Sequence, residues 1–472
     1  MEKTFLLQKD NSKAYCKKTQ GITLIALVVT IVVLLILAGI TISLVFSENG
    51  IIAKAREAAD KTKEAVINEQ AQMNELAGYM ENMLNGIGGS GTTPEPEPEP
   101  ELPADGSYSE EKGVNTPNLG EGMTAIKWDE NANSGAGDWV ETTGSDSDWY
   151  DYSAKKWANA KTTDGSMWVW IPRYAYNIPS TGYHTSTATE ISIEFMKGTS
   201  NETATGQTIV EYNDSTTTNY TQFPNGYVIH PAFNYGQPVS GIWVAKFEAS
   251  NSNGKIMVQP GVQSWRSITV DSIYTNCLNY NKTLNSHMMK NDEWGAVAYL
   301  SRSKYGKNEE VTINSNSSYY TGGGSGNTYV NNGAQSTTGN VWGVYDMSGG
   351  AWEYVAAYVD NGNGNLTSYG KSLVNGDPKT KNVYSKASSE NQTNNYNANA
   401  GVYGDAVYET STSGSGATSW YSDSSSFPHT SLPFFYRGAY FGGGSSAGVF
   451  YFECYYGVSN SSVSFRPVLA TI

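Results

Sequence analysis

The sequence predicts an α+β protein: a long N-terminal α-helix, a proline-rich linker, then a large domain of short strands and long loops. Three observations carry that expectation. An uncharged apolar run from Ile22 to Phe46 passes into a stretch with apolar residues near helical spacing. Prolines then alternate with glutamates from Pro94 to Glu101. Beyond Ser107 the chain is rich in Tyr, Asn, Ser and Gly, and only 16 % of all residues are charged. That composition fits a β- and loop-rich exterior domain with contact-forming surfaces.

Residues 1–21 form a short basic leader with Lys3, Lys9, Lys13, Lys17 and Lys18. The apolar run after it covers about 25 residues, enough at about 1.5 Å per residue to cross a bilayer core. A secretory signal would have a shorter apolar core followed by small residues at the cut. Lysines stay on the cytoplasmic side, so the C-terminal bulk is expected outside the cell. The helical pattern runs over 22–85 through Ile51, Ile52, Ala55, Ala59, Val66, Met73, Leu76, Met80 and Leu84, with Gly50 a weak point. Residues 86–106 are the linker. Gly86 to Gly91 is its flexible part, and the Pro-Glu repeat is a semi-rigid polyproline II spacer of about 3.1 Å per residue.

The arrangement Lys17-Lys18-Thr19-Gln20-Gly21-Ile22-Thr23-Leu24-Ile25 resembles the N-terminus of a type IV prepilin or pseudopilin. The resemblance implies cleavage after Gly21 by a prepilin peptidase and a mature, methylated N-terminus at Ile22. It also implies residence in the membrane, then assembly with other pilin-like subunits into a surface filament. The other reading is an uncleaved single-span anchor. Most mature pilins carry glutamate at the fifth position, where it neutralises a neighbour's N-terminal amine inside the bilayer. Here that residue is Ala26. An intramembrane carboxylate is costly and is kept only with a partner, so its loss implies a minor or tip subunit, or a lineage that dispenses with it.

The net charge is −15, and the leader holds five lysines against Glu2 and Asp10, or +3, which leaves −18 on the mature chain. Such a chain does not attract polyanions, so nucleic acid is not an expected partner. Beyond Cys16 of the leader only Cys277 and Cys454 remain. They could form one disulfide or be two small buried hydrophobes.

The domain is expected over 107–472, with 107–165 a possible β-rich subregion. Met167 to Tyr174 reads as an apolar strand stopped by Pro172. Gly241 to Glu248 alternates, with Trp243, Ala245 and Phe247 on one face and Ile242 and Val244 on the other. Asn291 to Leu300 reads as a helix capped by Asn291 or Asp292. Ser200 to Thr221 and Asn361 to Asn399 are polar insertions, too long for ordinary connectors.

Three sequence blocks, in this order, resemble blocks of the C-type-lectin-like fold of the formylglycine-generating enzyme class. The first is Trp168-Val169-Trp170-Ile171-Pro172-Arg173-Tyr174 with Gly241 to Glu248. The second runs from Gly343 to Val355 and includes Gly349-Gly350-Ala351-Trp352-Glu353. The third is Tyr436-Arg437-Gly438-Ala439-Tyr440, closing in Phe465-Arg466-Pro467. The resemblance implies that fold over roughly 300 residues. It does not imply catalysis, because a fold does not specify a function. The oxidase branch needs a close pair of cysteines, and here only Cys454 lies near the C-terminal region. The iron-dependent branch needs clustered histidines, and His184, His230, His287 and His429 are scattered. No nucleophile elbow or phosphate loop occurs, Gly322 to Gly326 lacking the following Lys-Ser/Thr. No catalytic residue, metal ligand or cofactor is therefore expected. The rival readings are an enzyme of this class and a purely structural pseudopilin.

Some proteins of this fold carry a C-terminal segment rewritten by diversity-generating retroelements. Arg437 to Val463 resembles such a segment. Adenine-directed mutation of an asparagine codon can give Tyr, Phe, Ser, Gly, Cys, Val, Asn or Asp, a set in which the segment is rich; Glu453 is not among them. The resemblance implies a ligand-binding face built from Tyr440, Phe441, Ser445, Tyr455, Tyr456, Ser459, Ser461 and Ser462, recognising a surface protein or glycan. Tyr is a rigid amphipathic contact residue and Ser an adaptable one. Val449, Phe450 and Phe452 are expected in the core. Arg437, Gly438, Trp352, Phe465 and Arg466 are expected to hold the scaffold.

Overall fold

The computed structural model describes residues 104–209 and 226–472. The leader, the expected helix over 22–85, most of the expected linker and part of the Ser200–Thr221 insertion lie outside these residues.

The α+β expectation is corrected. Residues 104–472 are mostly β-sheet with few helices, 20% of residues being helical. The longest described α-helices, α1 (Val270–Tyr280) and α2 (Asn291–Ser301), have 11 residues each. No described helix is long and apolar enough to cross a membrane. The physical reason lies in the apolar segments, which are short, rich in Val, Ile, Trp and Tyr, and bounded by Gly, Pro and Asn. Such segments pack better on a pleated surface than in a helix.

Two seven-stranded sheets carry the domain. The strands of the first are β1 (Met123–Asp129), β2 (Asp138–Glu141), β3 (Asn159–Thr162), β4 (Met167–Pro172), β5 (Gly241–Ala245), β6 (His287–Met288) and β14 (Pro467–Leu469). Their order is β6-β14-β5-β4-β3-β1-β2, antiparallel throughout. The strands between 123 and 162 thus extend this sheet, while Tyr108–Ser109 and Val114–Asn115 pair with each other in a separate two-stranded sheet. The second sheet holds β7 (Trp352–Asp360), β8 (Asn382–Ser385), β9 (Ser415–Gly416), β10 (Ser425–Ser426), β11 (Phe434–Arg437), β12 (Phe452–Tyr455) and β13 (Val463–Phe465). Its order is β8-β7-β11-β12-β10-β9, with β13 also pairing β7.

Every residue of β4 and β5 is buried. The alternation in β5 therefore does not separate core from solvent, because both faces of this central strand are covered. Trp243 lies opposite Trp170, with ring centroids 5.2 Å apart. Helix α2 is buried along its whole length, and its cap is Lys290 instead of Asn291 or Asp292. The Glu293 carboxylate reaches back to accept the Lys290 N–H at 2.8 Å. The 361–399 insertion is ordered and anchored by buried Leu366, Leu373, Tyr384 and Tyr396.

Buried basic side chains tie the core elements together, and one of them, Arg466, joins the two sheets. Arg466 stands where the chain leaves β13 for β14, passing from the second sheet to the first. Its guanidinium bonds Glu353 of β7 at 2.5 and 2.9 Å, and donates to the Ala245 and Tyr345 carbonyls. Arg437 donates to Asn291 Oδ1 and to the carbonyls of Asp405 and Ala406. Lys246 donates to Asn159 Oδ1 and the carbonyls of Val341 and Gly343, and burial holds its pKa well below the usual lysine range. Burying such groups is costly, and the hydrogen bonds they donate offset part of that cost.

Candidate ligand-binding face

Strand periodicity builds the outer face of the second sheet. Tyr436 of β11 lies opposite Tyr354 of β7 and Glu453 of β12. Cross-strand partners share a face, and so do residues two apart on one strand. Trp352, Tyr354, Phe434, Tyr436, Glu453 and Tyr455 therefore share one side. Glu353, Phe435, Arg437, Phe452 and Cys454 share the other, packed toward the core.

A tight turn then folds the chain back onto this face. Gly438 and Ala439 both take left-handed conformations, with φ of +79° and +60°. A Cβ at Gly438 would meet the Met347 carbonyl oxygen and a Trp294 ring carbon, each at 3.2 Å. The turn is pinned by the Gly349 N–H to the Gly438 carbonyl and the Phe441 N–H to the Gly350 carbonyl, both 2.9 Å. It lays Tyr440 flat on Trp352, with centroids 4.2 Å apart and planes 26° apart.

The result is a continuous row of seven rings. Tyr319 meets Phe441 at 5.0 Å, Phe441 meets Tyr440 at 5.1 Å, and Tyr440 lies on Trp352. Trp352 meets Tyr436 at 5.5 Å, Tyr436 meets Tyr455 at 5.6 Å, and Tyr455 meets Tyr456 at 5.3 Å. Most pairs are tilted or edge-to-face, the arrangements ring quadrupoles favour. Tyr436 is the buried link. Tyr440, Phe441, Tyr455, Trp352 and Tyr319 are half-buried, and Tyr456 is 42 % exposed.

The structure thus brings the four expected aromatics, Tyr440, Phe441, Tyr455 and Tyr456, into one row. Ser459 and Ser461 are exposed and Ser462 is half-buried. Their loop is tied to both ends of the row. Ser462 Oγ lies 2.8 Å from the Tyr319 hydroxyl, and Asn460 Nδ2 donates to the Tyr455 hydroxyl at 3.0 Å. Ser445 is exposed on the Gly444–Ser446 turn, joined to the row through the Gly443 N–H to the Tyr440 carbonyl. Val449, Phe450, Phe452 and Phe465 are buried, as are Arg437, Gly438 and Arg466. Trp352 differs from its expected place: it is half-buried and belongs to the face.

Several residues of the face escaped the sequence reading. Tyr319 and Arg266 come from distant loops, and the Arg266 guanidinium sits 3.9 Å over the Tyr319 ring and donates to the Ser461 carbonyl. No sequence signal brings them there. Glu453, Tyr451 and Tyr436 could have been found from the alternation of β11 and β12. Glu453 accepts from the Tyr451 hydroxyl, and burial raises its pKa. Trp352 Nε1 donates to the same hydroxyl at 3.1 Å.

Chemically, the face offers broad amphipathic rings, hydroxyls and one carboxylate. Cys277 and Cys454 are free and buried. The Cys454 thiol lies 3.3 Å from Ser426 Oγ and 3.8 Å from His429 Nδ1, and burial pushes its pKa up, the opposite of an activated thiolate. Among the described residues, no group of three or more His, Cys, Asp or Glu is placed to hold a metal ion. No family model and no curated protein matches the chain.

Proposed function

We propose that this protein is a cell-surface binding protein whose outer aromatic face captures a surface protein or glycan. The observation that carries the reading is the row of rings from Tyr319 to Tyr456, set on a sheet whose opposite side is core. Amphipathic rings fixed in place lose little side-chain entropy on binding, and such residues dominate affinity at recognition surfaces. Four of its seven rings, Tyr440, Phe441, Tyr455 and Tyr456, lie in the segment resembling those diversified by retroelements. Loops and turns carry most of its exposed residues, while β7, β11 and β12 hold the frame. The basic leader, Gly21 and the apolar run after it support display on a type IV pilus-like filament after cleavage before Ile22. Ala26 in place of glutamate supports a minor or tip position.

The test replaces Tyr440, Phe441, Tyr455 and Tyr456 by alanine in the full chain. Adherence of displaying cells, and capture of the purified protein on arrays of glycans and surface proteins, should be lost while cooperative unfolding is retained. Adherence that persists with a folded quadruple variant places recognition elsewhere. Display is tested by N-terminal sequencing of surface-exposed protein, which should begin at Ile22, and by Gly21→Glu, which should block cleavage. An intact Met1 on displayed protein contradicts the prepilin reading. Immunogold label spread evenly along filament shafts contradicts the tip position.

A further inference from the structure

A second groove opens on the first sheet, at the end of β1 and the segment that follows β2. Its volume is about 790 Å³, within the range of roughly 300–1,000 Å³ typical of small-molecule clefts. It shares no lining residue with the aromatic face. Three aromatic side chains line it: Trp128, Tyr150 and Trp342. Trp128 is half-buried and is held edge-to-face against Trp139 at 5.7 Å, which in turn meets Trp342 at 5.2 Å. The ring wall is therefore preassembled. Tyr150 is 1 % exposed, and its hydroxyl has no hydrogen-bond partner among the described residues.

The charges select the ligand class. Four carboxylates, Asp129, Glu130, Asp148 and Asp151, line the groove against three lysines. Lys127 is paired with Asp146 at 2.6 Å, and Lys112 donates to the Ser147 carbonyl at 2.8 Å. An anionic ligand would face surplus negative charge. A cationic ligand would seek the ring faces, but Lys112 already sits 6.0 Å from the Tyr150 centroid and Lys156 5.7 Å from that of Trp342. A wholly apolar ligand would strip water from these charges with nothing in return. A neutral polyhydroxylated ligand meets all three conditions. Its hydroxyls donate to the carboxylates, where charge-assisted bonds are strong, and accept from Lys156. Its C–H face packs on Trp128, over which no described cation lies.

We propose that this groove binds a neutral oligosaccharide, as a site separate from the aromatic face and independent of it. The full-length protein in detergent is titrated calorimetrically with cellobiose, maltose, lactose and N,N′-diacetylchitobiose. At least one should bind in the millimolar range or tighter. Trp128→Ala should weaken that binding by about tenfold or more. Asp148→Ala with Asp151→Ala, both at exposed positions, should weaken it about threefold or more without lowering the melting temperature. The quadruple aromatic variant should bind the sugar unchanged, so the two faces fail or succeed separately. The proposal is overturned if none of the four sugars binds, or if binding survives both the Trp128 and the paired aspartate variants. Loss in the quadruple variant, or tighter binding of a sulfated disaccharide or an oligolysine, overturns it as well.

Discussion

Glu409 precedes Thr410, Ser411 and Thr412 in the sequence, yet it is 1 % exposed in the fold. Its carboxylate is buried and accepts from the hydroxyls of Tyr176 at 2.8 Å and Tyr299 at 2.9 Å and from the Gly404 N–H at 2.6 Å. Burial outweighs these bonds and pushes its pKa up to about 7, from an ordinary value of 4.5. A raised folded pKa means that the native state binds the proton more readily than the unfolded chain. The associated stability is fully present below about pH 4.5 and is lost as pH rises through about 7. Glu409→Gln removes that dependence. Melting curves at pH 5 and pH 8 should therefore show the variant gaining stability relative to the parent as pH rises; a constant difference would refute the assignment. Three further substitutions separate core from face. Phe465 is fully buried, so Phe465→Ala should cost about 3–5 kcal/mol by urea denaturation. Glu353→Ala, which strands the Arg466 guanidinium, should cost a similar amount, about 3–5 kcal/mol. Trp352→Ala, on a half-buried ring, should cost less than either and reduce binding more. Burial of Phe465 was legible from its place in an apolar block. The exposure of Trp352 was not, because a tryptophan beside glycines looks the same in a core and on a platform.

At the scale of elements, the turn after β11 decides whether the binding face exists. Gly438→Ala puts a Cβ into a left-handed conformation within 3.2 Å of backbone and ring atoms. It should cost about 1–3 kcal/mol and lift Tyr440 from Trp352. A weakened near-UV circular dichroism signal should accompany weakened ligand capture. Unchanged near-UV signal with normal capture would show that the turn tolerates the change. Strand β4 and helix α2 were legible because their apolar residues are contiguous and their ends are marked, by Pro172 and by acids at Asp292 and Glu293. The cap of α2 lies one residue before Asn291 and two before Asp292, because the Glu293 carboxylate reaches back three positions to the Lys290 N–H. The alternation of β5 gave its two faces but not their surroundings, because alternation records residue type and not what covers the strand.

At the scale of the molecule, residues 98–472 cluster as one compact unit, and both sheets meet at Arg466. A chain beginning at residue 98 should fold by itself and unfold in a single cooperative transition, with circular dichroism and tryptophan fluorescence superimposing. Separate transitions would show that the two sheets fold independently.

By itself the sequence determined the local features: the basic leader and apolar run, the Pro-Glu repeat, the short apolar strands, and the run of small and aromatic residues near the C-terminus. These depend on residues close together in the chain, where composition and spacing act directly. Tertiary structure alone decided that the described part is mostly β, that 123–162 joins the first sheet, and that Tyr319 and Arg266 complete a face begun at Trp352. It also decided that Trp128, Tyr150 and Trp342 line one groove. These arrangements rest on contacts between residues tens to hundreds of positions apart. Such contacts are selected by packing and by the satisfaction of buried polar groups, neither of which leaves a periodic mark along the chain.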